Sequence, residues 1–318
     1  MDLKTFIEWQ RSQGHKIVKT NTMDWVEVSP AIYQAIPYHQ LFVPQENEFT
    51  LLFKKYGAIG LRYSTPVQSD YGSISYHTIY QGPPYSLNSL SKKARHDISR
   101  GLKMSVVEPI SLERLATEGW ELRHDTLVRQ GRVDAETQTW WETLCRSAIE
   151  LPGFEAWGAI IEGRLVAALL AFTCDNCCSI LYQQSRTEFL PFGVNNALTF
   201  IFTNEVLKRP CLPWLFYGLH SLDAPASVDE FKFRMGYTAH LVRQRVVFNP
   251  LVAPLFNPLT HSLVKKLCKF RPGNPILTKA EGMIRFYLQG KRPLAQQDWP
   301  ENLINQRESF LAGESIQS

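Results

Sequence analysis

The stretch 156-AWGAIIEGRLVAALLAFTCDNCCSILYQQ-184 decides how this chain is read. Three short apolar runs, residues 156–161, 164–172 and 178–184, are separated by Glu162-Gly163 and Asp175-Asn176. Glycine, aspartate and asparagine tolerate the left-handed backbone that two-residue hairpin turns require. The stretch therefore predicts a three-stranded antiparallel meander. Side chains alternate along a strand, so Tyr182 and Gln184 share one face of its last strand.

The flanks extend this pattern. Residues 105–110 read as a short strand. Residues 112 to about 130 read as a helix carrying Leu115, Leu122 and Leu127, with Gly131 at the stop. Residues 136–149 form a second helix, ending before Pro152. After the meander come a helix over 193–208, a strand over 214–217, a helix over 228–235 stopped by Gly236, and an alternating strand over 241–248. The order is strand, helix, helix, three strands, helix, strand, helix, strand. That is an α/β (α+β) arrangement in which an antiparallel meander feeds a βαβ unit.

The first 90 residues read as a strand-rich N-terminal lobe. Residues 50–63 predict a hairpin turning near Tyr56-Gly57, and residues 75–80 another strand. Residues 91–103 predict a helix capped by Ser91 that carries five basic residues. The domains expected are thus 1–90, 91–250 and a C-terminal helical extension over 251–318 with a frayed polar tail. In that extension, residues 263–270 set Lys265, Lys266 and Lys269 beside Leu263, Val264 and Leu267. A basic amphipathic piece of this kind either lies on a membrane surface or packs its apolar face on its own domain. Packing is the expectation here.

Composition sets further bounds. The chain has 318 residues, 44% of them hydrophobic and 12% aromatic, enough for a packed core. No apolar run approaches the roughly 18–20 residues of a membrane-spanning helix. The N-terminus has no signal-peptide core, so a cytoplasmic location is expected. Six cysteines in this length argue against a disulfide framework. Cys174, Cys177 and Cys178 lack a second ligand pair and read as turn residues, not as a metal site. A net charge of +4 suits a phosphate-bearing ligand and is too weak to argue for DNA.

Three stretches carry a resemblance: 90-LSKKARHDISRGLK-103, 189-FLPFGVNNALTF-200 and 228-VDEFKFRMGY-237. With the element order of residues 105–248, they resemble the GNAT acyltransferase fold, and more closely its FemAB-type branch. The resemblance implies a GNAT-like antiparallel/mixed sheet flanked by helices, with a partial second GNAT-like lobe at the N-terminus. It also implies an N-acyltransferase that moves an acyl or aminoacyl group to an amine by direct attack in a ternary complex. No cofactor is tightly bound in that scheme. Acyl-CoA or aminoacyl-tRNA is the co-substrate, the acceptor is a small-molecule or cell-wall-type amine, and tRNA is a partner.

At the loop-to-helix joint, Phe192, Gly193, Val194, Asn195 and Asn196 surround a helix N-terminus, where unpaired N–H groups and the dipole favour an anion. In the family this turn holds the pyrophosphate of acyl-CoA. Its usual pattern is Arg/Gln-x-x-Gly-x-Gly/Ala. Leu190 and Asn195 depart from that pattern and only Gly193 matches it, which leaves the donor open between acyl-CoA and aminoacyl-tRNA.

The candidate catalytic residues are Lys232, His220, Tyr182 and Asp223; Arg95, Arg100, Phe231, Gln184 and Tyr217 are candidates for substrate binding. Lys232 either holds an oxyanion, shielded by Phe233, or snorkels to solvent. His220 is either a base or a loop histidine bonded to backbone. Arg95 and Arg100 either meet a phosphate-bearing acceptor or a tRNA end, or lie on a solvated helix. Two further readings of the whole chain stay open: a catalytically inactive GNAT-like binding module, and an aminoacyl transferase acting on lipid head groups at a membrane surface.

Overall fold

The computed structural model describes residues 2–82, 84–132, 136–223 and 226–312. The elements in chain order begin with α1 (Leu3–Ser12), β1 (Ile17–Lys19), β2 (Asp24–Ser29), β3 (Ile32–Ile36), α2 (Glu46–Lys55), β4 (Gly60–Thr65) and β5 (Ser73–Gln81). Then follow α3 (Lys92–Met104), β6 (Val106–Ile110), α4 (Leu112–Arg129), α5 (Gln138–Arg146), β7 (Phe154–Ile161), β8 (Arg164–Cys174) and β9 (Cys177–Ser185). The chain ends with α6 (Val194–Leu207), β10 (Trp214–Leu219), α7 (Ala226–Arg234), β11 (Thr238–Phe248), α8 (Pro258–Phe270), α9 (Pro275–Gly290) and α10 (Arg307–Leu311). It forms two compact units. Unit 1 comprises Met1–Gln13, Thr78–Gly218 and Ala224–Thr238; unit 2 comprises Gly14–His77, Leu219–Asp223 and Ala239–Ser318.

Unit 1 is built on a mixed sheet flanked by helices. Strands β6, β7, β8 and β9 pair antiparallel in sequence order, and β10 then pairs with β9 in parallel. Glu162 and Gly163 both have positive φ at the first turn, and Asp175 does at the second. The expected meander and its turn chemistry are thus the backbone of this unit. On one face α3 and α6 cover the sheet, burying Ala94, Ile98, Leu198 and Phe202 against Trp157, Leu169 and Leu215. On the other lie α4 and α5, where Trp141 Nε1 donates to the Leu115 carbonyl at 3.1 Å. Helix α1, which the sequence reading missed, belongs to this unit: Trp9 Nε1 donates to the Leu144 carbonyl at 3.0 Å.

Unit 2 also carries mixed strand pairing. Strands β1, β2 and β3 are antiparallel, β4 is parallel to β3, and β11 is antiparallel to β4. Helix α2 covers one face through Phe49 and Leu52, against Trp25, Tyr33 and Tyr63. Met283, Ile284 and Phe286 of α9 pack on Val246 and Phe248.

Two expectations need correction. Residues 50–63 are not a hairpin, because residues up to Lys55 belong to α2. Phe49 and Leu52 recur at helical spacing, Glu46 and Glu48 fill the first turn, Lys54 and Lys55 the last, and Glu48 Oε1 accepts from the Gln45 N–H at 2.9 Å. The two compact units interleave along the chain. β11 pairs with β4 through six residue pairs from Arg243↔Thr65 to Phe248↔Gly60, so the C-terminal part of the chain completes the lobe that Gly14–His77 begins. Finally, α8 turns Val264 inward but leaves Leu259, Leu263 and Phe270 in solvent, so its apolar residues do not all pack on their own domain.

Among the described residues no helix is long and apolar enough to cross a membrane. Cys174 and Cys177 face each other across the second meander turn, and burial pushes the Cys174 and Cys178 thiols up to about 12. Among the described residues no cluster of three or more His, Cys, Asp or Glu is arranged to hold a metal.

Candidate functional site

The site in unit 1 begins where β9 and β10 part. Their parallel register runs from Trp214↔Cys177 to Phe216↔Ser179 and stops, although both strands continue. Gln183 and Tyr217 occupy the opened part. Tyr217 donates from its hydroxyl to Gln183 Oε1, and Gln183 Nε2 donates to Thr199 Oγ1 of α6 at 3.0 Å. Burial drives the Tyr217 phenol well above its ordinary range, so it stays a neutral donor.

Lys232 lies over this tyrosine, with Nζ 5.4 Å from the ring centroid. The residue is 8% exposed and therefore does not snorkel to solvent. Its partner is Asp229, one turn earlier on α7, with Oδ1 at 2.7 Å. Tyr217 and Asp229 thus both meet the ammonium. Phe231 packs on the unit's core, and the Arg234 guanidinium covers its ring. Gly218 has φ +127°, a backbone conformation that favours glycine, and a Cβ there would meet Nζ at 3.8 Å.

Tyr182 and Gln184 lie on the opposite face of β9. Tyr182 meets the edges of Trp140 and Trp141 and the guanidinium of Arg123, which is paired with Glu136. Gln184 is 1% exposed, and neither atom of its carboxamide has a hydrogen-bond partner. Such a group in a native fold asks for an explanation, and a bound ligand is one.

The turn at Gly193 has a cause inside the chain. Gly193 has φ +76°, and a Cβ there would sit 2.2 Å from the Asp97 carbonyl oxygen of α3. In return, a Cβ on Gly101 would sit 2.3 Å from the Gly193 carbonyl. The backbone that approaches closely is therefore that of α3. Val194 is fully buried, Asn195 Nδ2 donates to Ser185 Oγ at 2.9 Å, and Asn196 Nδ2 points at Met235 Sδ. Both asparagine Nδ2 groups are engaged within the fold, while Asn195 Oδ1 is buried without a hydrogen-bond partner and Phe192 stays exposed. On α3, Arg95 donates to the Leu90 carbonyl and Arg100 to Asp97.

His220 and Asp223 belong to unit 2. The His220 ring stacks on Tyr76 at 4.4 Å, the His220 backbone N–H donates to the Tyr76 carbonyl, and the ring Nδ1 lies 3.3 Å from Ser75 Oγ. Asp223 accepts from Thr278 and Ser221. Nearby is a polar seam that sequence reading missed. Arg62 donates from Nε to Gln244 Oε1 at 2.9 Å and from Nη2 to the His220 carbonyl, and His77 Nε2 lies 2.7 Å from Ser64 Oγ. Burial, then the neighbouring His240, His39 and Arg62, hold His77 down to about 3; burial lowers Arg62 to about 10. Asp229, Gln183 and Thr199 were also missed. The one signal available was the i, i+3 spacing of Asp229 and Lys232.

No family model and no curated protein matches the chain. Solved structures do. FemX matches at TM-score 0.52 and 11% identity, over 79% of this chain and 93% of FemX. A conserved protein of unknown function from Bacteroides thetaiotaomicron matches at 0.53 and 12%, over 76% and 88%. The likeness is one of fold, and with the mixed sheet flanked by helices it agrees with the FemAB-like GNAT fold expected from the sequence. A tandem GNAT protein from the clavulanic acid biosynthesis pathway also matches, at 0.45 and 11%, over 73% and 81%. Identities this low concern the fold and not the chemistry.

Proposed function

We propose that unit 1 is an N-acyl or aminoacyl transferase that joins its donor to an amine by direct attack. The observation that carries this reading is the buried Lys232–Asp229 pair set over Tyr217 where β9 and β10 part. The amine nitrogen bonds to the acyl carbonyl carbon. The C–O bond of an aminoacyl ester, or the C–S bond of a thioester, then breaks, and the amine's proton passes to the leaving group. The Lys232 ammonium is the donor for the oxyanion that forms in between, and in a site this dry one such donor is worth about 10²–10³ in rate. His220 and Asp223 are not needed in this scheme.

The close packing of Gly193 on α3 and the departures at Leu190 and Asn195 from the family's phosphate pattern favour an aminoacyl ester, such as aminoacyl-tRNA, over acyl-CoA. Arg95 and Arg100 remain the candidates for its phosphates. A small-molecule or cell-wall-type amine in the cytoplasm is the acceptor class we assign.

Thermal shift separates the donors. A ligand at about a hundred times its dissociation constant stabilises by ~2.7 kcal/mol. Aminoacyl-tRNA should raise the melting temperature where CoA, acetyl-CoA and longer acyl-CoAs do not. Stabilisation by acyl-CoA alone would reverse the donor assignment, and no transfer from either donor class to any amine would leave a binding module.

A further inference from the structure

We propose that the segment from Leu251 to Ile276, centred on α8, docks on an anionic lipid surface. The segment lies wholly in unit 2, and the inference does not depend on the transfer reaction.

Its large apolar side chains point outward. Leu251 is 88% exposed, Leu259 82%, Leu263 57%, Phe270 83% and Ile276 75%. At about 100° per residue, Leu259, Leu263, Leu267 and Phe270 fall within an arc of about 80° on α8. Val264, on another side, packs inward with Val246 and Phe248. The helix is therefore apolar on two faces, and its own fold uses only one. Scattered exposed leucines are ordinary, but a continuous row of them marks an interaction surface.

Charge identifies what covers the row. Between Pro250 and Ala280 there is no aspartate or glutamate, while Lys265, Lys266, Lys269, Arg271 and Lys279 are present. Lys266 lies about 20° from Leu259 around the helix, and Lys269 and Lys265 follow on the same flank. A helix lying in a membrane interface has this layout: apolar side chains enter the acyl boundary and lysines along one flank reach the phosphates. A second copy of the chain would bring lysines against lysines with no carboxylate in the segment to offset them. Nucleic acid would use the cations and leave the leucines and Phe270 in water. Since no described helix is long enough to span, the contact is one of lying on the surface.

The test is flotation of the full chain with phosphatidylcholine vesicles, with and without phosphatidylserine. The chain should float with the phosphatidylserine vesicles only, and added salt should weaken the binding. Leu259→Ser/Leu263→Ser/Phe270→Ser and Lys265→Glu/Lys266→Glu/Lys269→Glu should each lose binding by about 10²-fold. Both alter exposed side chains, and unchanged circular-dichroism melting would show that they fold. Failure of the unaltered chain to float would overturn the proposal. So would flotation indifferent to the leucine variant, or a solution dimer that this variant dissolves. RNA binding that needs the lysines but not the leucines, without flotation, would transfer the surface to nucleic acid.

Discussion

Lys232 Nζ and Asp229 Oδ1 lie 2.7 Å apart on one turn of α7, with only 10% and 11% of their side chains exposed. Removing one member of such a pair strands the other's charge in a poorly solvated place, at a cost of roughly 3 kcal/mol for a pair that keeps some water. Lys232→Met alone therefore confounds catalysis with folding. Lys232→Met and Asp229→Asn should each lower the melting temperature, and the double variant should recover most of the loss. The double variant should still transfer about 10²-fold more slowly than the unaltered chain. Denaturation and single-turnover transfer across the four proteins form the cycle; a double variant with normal transfer would remove Lys232 from the chemistry.

Gly193 and Gly163 offer a matched comparison, with φ of +76° and +79°. A Cβ at Gly163 meets nothing within 4 Å, whereas one at Gly193 meets the Asp97 carbonyl at 2.2 Å. Gly163→Ala should cost about 1 kcal/mol, for backbone conformation alone, and Gly193→Ala at least about 3 kcal/mol. Equal losses in urea unfolding would mean that α3 does not need the close approach.

Gln184→Met deletes two unpartnered polar atoms while keeping most of the volume. Removing a buried group that bonds nothing should leave stability unchanged or raise it by up to about 2 kcal/mol. A fall in transfer of at least about tenfold, through a higher acceptor KM, would identify the carboxamide as a ligand contact. Unaltered kinetics with a raised melting temperature would show that it contacts no substrate.

His77 is held at about 3 against an ordinary 6.5, with burial as the main cause. Between those values the unfolded chain binds a proton that the folded chain refuses. Stability therefore falls as the pH drops through that window, by up to about 1.4 kcal/mol per unit. His240, also lowered by burial, acts in the same direction. Urea unfolding from about pH 6.5 to about pH 4 should show this slope, and His77→Gln should flatten it. An unchanged slope in that variant would assign the acid sensitivity elsewhere.

The middle of the chain was legible because its information is local. Glu162-Gly163 and Asp175-Asn176 specify their turns within two residues, and the strands they join pair with sequence neighbours. The same locality explains Lys232, which sits on a helix ended by a positive-φ glycine, Gly236. What failed was either ambiguous or distant. An apolar run with glycines at 57 and 60 fits a hairpin as well as a helix end, and only the charges at 46, 48, 54 and 55 favour the helix α2. Gln183 gains its meaning from Thr199 and Tyr217, and the seam of Arg62, Gln244 and His77 joins strands up to 182 positions apart. Periodicity carries no signal for such meetings.

The pairing of β4 with β11 constrains how the protein can be made. Gly60 waits for Phe248, and the Gly72 N–H donates to the Gly290 carbonyl. On the ribosome, strands β1 to β4 of unit 2 stay without their β11 and α9 partners until residues up to about 290 have emerged. Trp9 likewise waits for Leu144. No single cut therefore releases an intact half, and a fragment ending near residue 250 lacks the helix that covers Val246 and Phe248. Until β11 arrives, the open edge of β4 is exposed on the nascent chain and is a place for a chaperone to act.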